Sequence, residues 1–212
     1  MKNKLLAYIF SFLFVCGVVN AEVKFGASLM VGQAETSGHE LESGSADDKN
    51  SKTIKETFYG GSIFVEAIGD NGVAIGLDYV PLDVELGSGK RTDSDDGTND
   101  AADDDGTRSA SADVVNLITL YTNIPVGTGG YYALLGVHSA TVETAETLPN
   151  SSYGNEDILG LQVGAGLRSG NFKYEFSYSD FEDIKLSGTG GNSGNKIEAD
   201  ADAMMFKIAY GF

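Results

Sequence analysis

Three groups of residues in this sequence have side chains and spacings that can do chemistry. The first is the acidic run from Asp93 to Gly106, where Asp93, Asp95, Asp96, Asp103, Asp104 and Asp105 alternate with glycine and small residues. Clustered carboxylates of this kind suit Ca²⁺, which takes about six to eight oxygen ligands in flexible geometry. The run is not an EF-hand loop: counted from Asp93, the position that needs glycine is Thr98, and the twelfth is Asp104 where glutamate belongs. Low hydrophobicity and self-repelling charge describe a solvated external loop equally well, and that reading is preferred. The aspartates therefore stand as a calcium candidate only, and no cofactor is implied.

The second group is His138 beside Ser139, a base next to a hydroxyl. Neighbouring residues of a strand point to opposite faces, so this pair does not meet as nucleophile and base while the strand continues. His39, the other histidine, has no evident triad around it. Catalysis is not expected. The third group is Lys24, Glu66, Asp78, Arg168, Lys173, Glu175 and Lys207, a set of mixed sign scattered along the chain. What these seven can do depends on the elements that carry them.

Lys2 and Lys4 precede an apolar run from Leu5 to Val19, and Val19-Asn20-Ala21 offers small residues before Glu22. That order predicts a secretory signal peptide over 1–21, leaving 22–212 as one domain. The apolar run is shorter than a membrane-spanning helix requires. Leu13 and Gly17 flank Cys16 as in a lipoprotein signal, but Val15 is too large for that processing, so Cys16 leaves with the signal and the mature chain has no thiol. The formal charge of −17 becomes −19 once two lysines are removed, which excludes nucleic acid as an electrostatic partner.

Period-two alternation then predicts eight strands. Their apolar faces are Val23 to Val31, Tyr59 to Ala67, Val73 to Tyr79, Val114 to Ile124, Tyr131 to Val137, Leu159 to Leu167, Phe172 to Tyr178 and Met204 to Phe212. In the fourth, Val114, Ile118, Leu120, Thr122 and Ile124 are assigned outward, and Asn116 does not fit that face. The connections alternate: 69–72, 125–130 and 169–171 are short, whereas 32–56, 81–111, 139–156 and 182–199 are long and polar. Eight strands with three short turns and four long loops match an outer-membrane barrel, and aromatic residues near the strand ends suit its interfacial girdles. The third group of residues settles the phase. All seven charges fall opposite the apolar stripe, among glycines, where a narrow barrel interior accepts small residues and mutually paired charges. A soluble sandwich would put that face in water, with no need for glycine there. The expected fold is an all-β, eight-stranded antiparallel transmembrane barrel with short periplasmic turns and four long external loops.

The block LGLQVGAGLRSGNFKYEFSYSDF, Leu159 to Phe181, joins a glycine-rich strand through a short turn to an aromatic one. With the alternating tail to Phe212, it resembles the opacity-type outer-membrane β-barrel family, small eight-stranded barrels related in architecture to the transmembrane domain of OmpA. The resemblance implies insertion by the barrel-assembly machinery, with Phe206, Ile208, Tyr210 and Phe212 as the assembly signal. The setting expected is the outer membrane of a Gram-negative-type bacterium, in contact with its lipid and lipopolysaccharide. Envelope integrity, or adhesion-like contact of the loops with an external surface or protein, is the expected role. A narrow channel for ions or small solutes is the alternative, against which Phe64, Tyr132, Leu134 and Met205 would fill the lumen. A lipid-modifying enzyme is the third reading and lacks a catalytic set.

Overall fold

A computed structural model of the chain describes residues 21–41, 49–93, 106–147, 151–190 and 195–212. Asp95, Asp96, Asp103, Asp104 and Asp105 of the calcium candidate lie outside these residues, as does all of the expected signal except Ala21. Asp93 is the last residue of its strand, opposite Gly106.

The elements in order are β1 (Glu22–Leu41), β2 (Lys49–Ile68), β3 (Ala74–Val80), β4 (Val84–Asp93), β5 (Gly106–Pro125), β6 (Tyr131–Glu146), β7 (Ser151–Ser152), β8 (Asn155–Ser169), β9 (Phe172–Phe181), β10 (Ile184–Ser187), β11 (Thr189–Gly190) and β12 (Lys196–Gly211). Neighbours pair antiparallel in the order β1-β2-β3-β5-β6-β8-β9-β12, and β12 returns to β1 from Gly26↔Gly211 to Leu41↔Lys196. The ring is thereby closed, and a closed sheet has no free edge. β4 carries β3 onward after Pro81-Leu82-Asp83, and β10 carries β9 onward after Glu182-Asp183, so twelve elements make eight barrel strands and one small ribbon, β7 with β11.

The short turns are built by local polar chemistry. Between β2 and β3, Gly72 donates its N–H to Gly69 O at 2.8 Å and Asn71 Oδ1 accepts the Val73 N–H at 3.0 Å. Gly72 sits at φ +76, a conformation that favours glycine.

Along each strand the binary pattern inverts. On β1, Val23, Phe25, Leu29 and Val31 are exposed on the outer wall over Lys24, Gly26 and Ser28 within. Beyond Val31 the outer face reads Gln33, Glu35, Ser37, His39, and the inner face begins with buried Ala34. β12 repeats this in reverse: Phe206, Ile208, Tyr210 and Phe212 are exposed near the turns, whereas Asp202, Asp200 and Glu198 take the outer positions farther out and Ala199 and Ala201 are buried inside. The outer apolar band covers Val23 to Val31, which at about 3.3 Å per residue and about 40° of tilt spans about 20 Å. Past it the wall continues as a second storey with polar exterior and apolar core: Val84, Leu86, Val114, Val142, Ile158, Ile184 and Leu186 form one buried cluster.

This inversion redraws the long connections. Most of 32–56, 81–111, 139–156 and 182–199 is barrel wall, because once the outer face turns polar the alternation no longer looks like a lipid-facing strand, although the ladder continues. The fourth strand holds a phase correction. Val114, expected on the outer wall, is 5 % exposed and lies in the apolar cluster. The register shifts between Val115 and Ile118, and Asn116 takes φ 54. A bulge adds one residue and therefore exchanges the faces on either side of it. Asparagine tolerates that left-handed conformation better than most side chains.

Two stretches of wall lack a ladder among the described residues. The β2–β3 pairing runs only from Ile68↔Ala74 to Ile63↔Tyr79, and β4 pairs with β5 alone. Likewise β8 pairs with β9 as far as Gly160↔Phe181, while β10 pairs with β12 alone.

Candidate functional site

The lumen contains two consecutive sites, a polar plug within the storey of the apolar band and an apolar cup above it. Glu66, 1 % exposed, is the centre of the plug. Arg168 reaches it with Nη1 at 2.6 Å and Nη2 at 3.2 Å, Lys173 Nζ donates at 3.0 Å, and the Tyr121 hydroxyl donates at 3.1 Å. Lys173 Nζ also stands 4.2 Å from the Phe64 ring centroid and 3.8 Å from Glu175. Glu175 accepts the Tyr132 hydroxyl at 2.8 Å and faces Lys207 at 3.8 Å. Lys207 in turn meets Asp78 at 3.1 Å, and Ser62 donates to the same carboxylate at 2.9 Å.

Six of the seven candidate interior charges thus form one network, three cations against three carboxylates drawn from β2, β3, β8, β9 and β12. Their desolvation is offset only because each has partners in good geometry. Lys24 stands apart at the turn end, 3.5 Å from Glu22.

The glycines opposite the plug leave space for flat rings. Gly26 faces Phe64, Gly76 faces Tyr121 and Gly166 faces Tyr132 across the ladders, and a Cβ on any of the three would lie within 2.4 Å of the facing ring. Rings laid over neighbouring glycines, with Leu134, fill the section that the charges leave open.

His138 sits above the plug, buried, between two hydroxyls: Thr119 Oγ1 at 2.7 Å from Nδ1 and Ser179 Oγ at 2.9 Å from Nε2. Its ring stacks on Phe181 with centroids 5.3 Å apart. Ser139 points the other way and pairs with Ile118 and Leu159 in the wall. The serine that meets the imidazole is Ser179, distant in sequence and findable only through the inward phase it shares with Ser177 and Glu175. A hydroxyl occupies the place where a triad has its carboxylate. His39 lies on the exterior, 3.7 Å from Glu198.

The cup is a cavity of about 670 Å³ with walls of Ile54, Leu86, Val142, Ile184, Leu186 and Ile197. Among the described residues, Glu40, Lys52, Lys90, Arg108 and Glu146 are its charged lining. Tyr153, from the ribbon that follows β7, straps the mouth: its hydroxyl donates to Glu40 at 2.5 Å and its N–H to Glu146 at 2.9 Å. Thr36 Oγ1 is buried in the cup wall and makes no hydrogen bond. Outside, just past the apolar band, Lys55 donates to Glu35 at 2.7 Å, a bond that raises the lysine's pKa. Nearby, burial followed by the charges of Glu35 and Asp180 raises that of Asp202.

No family model matches the sequence, and no curated protein matches it. Solved structures do. The outer membrane protein OprG from Pseudomonas aeruginosa superposes with a TM-score of 0.51 at 13 % identity, covering 89 % of this chain and 97 % of that one. The outer membrane protein AlkL, determined by solid-state NMR in DMPC lipid bilayers, gives 0.51 at 11 % identity, covering 90 % of each chain. The fold is that of a small outer-membrane β-barrel. Its apolar band therefore corresponds to the lipid-facing belt and its second storey to the external end, so the plug crosses the barrel at membrane depth and the cup stands outside it.

Proposed function

We propose that this outer-membrane barrel receives a small apolar or amphiphilic molecule in its external cup and does not conduct ions along its axis. The observation that carries the reading is the vertical order of the lumen: a cavity walled by aliphatic side chains directly above a section crossed by six mutually paired charges. An aliphatic cavity of that size attracts apolar surface, and the plug beneath denies ions a wet path. The unladdered wall between β2 and β4 supports a sideways passage between cup and outer leaflet. Among the described residues no ladder joins β2 to β4 there, and Ile54 lies against Gly87.

The test is methyl NMR on the protein in phosphatidylcholine nanodiscs, with decanol as the probe. Shifts at the Ile54, Ile184 and Ile197 methyls support the cup. Shifts confined to belt methyls, or stable single-channel conductance in planar bilayers, would count against it and favour the narrow channel.

Loop-mediated contact with an external surface is the second reading. It is supported by the height of the upper storey, since β1 runs from Gly32 to Leu41 beyond the belt, about 23 Å at the same rise and tilt. Loss of surface adhesion on shortening 42–48 and 94–105, with the barrel intact, is its test. In both readings residues 1–21 direct export, the barrel-assembly machinery reads Phe206 to Phe212, and lipopolysaccharide surrounds the wall. No catalytic activity is assigned.

A further inference from the structure

The charges at the mouth of the cup point to the class of molecule it takes. The chain carries 31 acidic and 14 basic residues, yet among the described residues the charged lining of the cup is mainly basic: Lys52, Lys90 and Arg108 against Glu40 and Glu146. Both carboxylates are already occupied. Glu40 accepts from the Tyr153 hydroxyl and from Asn195 Nδ2 at 3.2 Å, while Glu146 accepts from the Tyr153 N–H and from Thr144 Oγ1 at 2.8 Å. Among the described residues, no ion pair is formed by Lys52 or Lys90. Lys52 shares the inward phase of β2 with Ile54, and its Nζ lies 3.9 Å from the point a Cβ on Gly89 would occupy, so the ammonium hangs over the upper end of the unladdered wall.

We infer that the ligand of the cup is an anionic amphiphile, an unbranched apolar chain ending in a carboxylate, sulfate or sulfonate, with Lys52 as the residue that holds the head group. The inference rests on the cup reading above and adds the sign of the ligand's charge. The dimensions agree with it. From Thr36, the lowest residue of β1 in the lining, to Glu40 at the mouth is four residue steps, about 10 Å of depth, which takes most of a medium-length alkyl tail laid along Ile54, Val142 and Ile184. An ammonium at the end of an aliphatic slot is a point charge with rotatable donors, suited to a head group of small size and variable geometry.

The experiment uses the full barrel in phosphatidylcholine nanodiscs and three probes of equal chain length: decanesulfonate, decanol and decylammonium. Binding is read from the Ile54, Ile184 and Ile197 methyl shifts. Decanesulfonate should bind more tightly than decanol by roughly tenfold, the worth of one charge-assisted hydrogen bond, and decylammonium least tightly. Lys52→Gln should remove that tenfold preference and leave decanol unchanged, and Lys52→Arg should restore it. Equal affinity for sulfonate and alcohol, a preference for decylammonium, or a Lys52→Gln variant that keeps the preference would overturn the assignment while leaving the cup standing. If none of the three probes shifts those methyls in the parent protein, the cup itself fails and the assignment with it. Heat-modifiable migration of each variant on a gel verifies the fold.

Discussion

Removing the Glu66 carboxylate is the most informative perturbation of the plug. The side chain is 1 % exposed and accepts four hydrogen bonds, two from Arg168 and one each from Lys173 and Tyr121. Glu66→Ala leaves two cations and a hydroxyl short of an acceptor, but not equally. The Arg168 side chain is 22 % exposed at the turn end and can recover water, whereas that of Lys173 is 5 % exposed and cannot. Breaking a buried pair costs about 3–5 kcal/mol, and we expect Glu66→Ala near 4 kcal/mol on that scale. Lys173→Met should cost less, about 2 kcal/mol, because Glu66 keeps its two bonds from Arg168. Arg168→Met should cost about 1–2 kcal/mol, because Glu66 keeps its bonds from Lys173 and Tyr121 and the guanidinium lost is partly solvated. The double change Glu66→Leu with Lys173→Leu should recover part of the loss, since a buried pair replaced by apolar groups is often close to neutral. The assay is the urea midpoint in phosphatidylcholine vesicles, with the folded fraction read by heat-modifiable migration and converted through the slope. Glu66 is not the centre of the plug if Glu66→Ala falls within about 0.5 kcal/mol of the parent, or if Arg168→Met proves as costly as Glu66→Ala.

Three further outcomes follow from the wall. Gly166→Ala places a Cβ 2.4 Å from the Tyr132 ring and should lower the same urea midpoint by about 1–3 kcal/mol, with part of the loss returned by Tyr132→Leu. On the exterior of the upper storey, burial and the charges of Glu85 and Asp83 raise the pKa of Asp113. Its ionisation therefore opposes folding above its folded pKa, and that penalty disappears once pH falls below its unfolded pKa, where both states are protonated. Asp113→Asn should accordingly stabilise the barrel at pH 7 and lose its advantage on acidification, which parallel urea titrations would reveal. Phe212 exchanges backbone hydrogen bonds with Phe25 at 2.8 and 3.2 Å. Deleting it should slow insertion into vesicles in the presence of the assembly machinery more than it slows unassisted folding, and equal rates would remove the assembly role.

The storey at membrane depth is legible in the sequence because a lipid-facing strand shows its apolar side on one unbroken phase. Phe172, Tyr174, Phe176 and Tyr178 are such a run, all exposed outward, with Lys173 and Glu175 beneath them in the plug. The upper storey is hidden for the same reason. Past Val31 or Met204 the apolar residues move to the inner phase, and alanine and threonine replace the aromatics, so each strand reads as if it had ended. The Asn116 bulge defeats phase reading locally, as only the ladder with β6 reveals the extra residue. The cup needs still more than strand assignment. Ile54, Val142, Ile184 and Ile197 come from four elements far apart in the chain, and nothing local in any one of them marks a cavity. Ser179 meeting His138 is a juxtaposition of the same kind, made by closure of the ring.

The inversion of the binary pattern also protects the barrel from an error that alternation alone permits. A one-residue slip between neighbouring strands turns every side chain to the wrong face and is self-punishing. A slip by two keeps inside and outside intact and would go unnoticed in a sheet of uniform pattern. Here it would not. Sliding β12 two places along β1 toward the turns brings Asp202 from its position opposite Glu35 down to the level of Gln33, toward the hydrocarbon edge, and each further step costs more as the charge nears the midplane. Sliding it the other way lifts Phe206 from its position opposite Val31 to the level of Gln33, past the belt, and misaligns Lys207 with Asp78 and Glu175. The boundary between storeys works like the zero mark of a vernier, giving the even-numbered registers different energies and leaving the closing strand one place to stop.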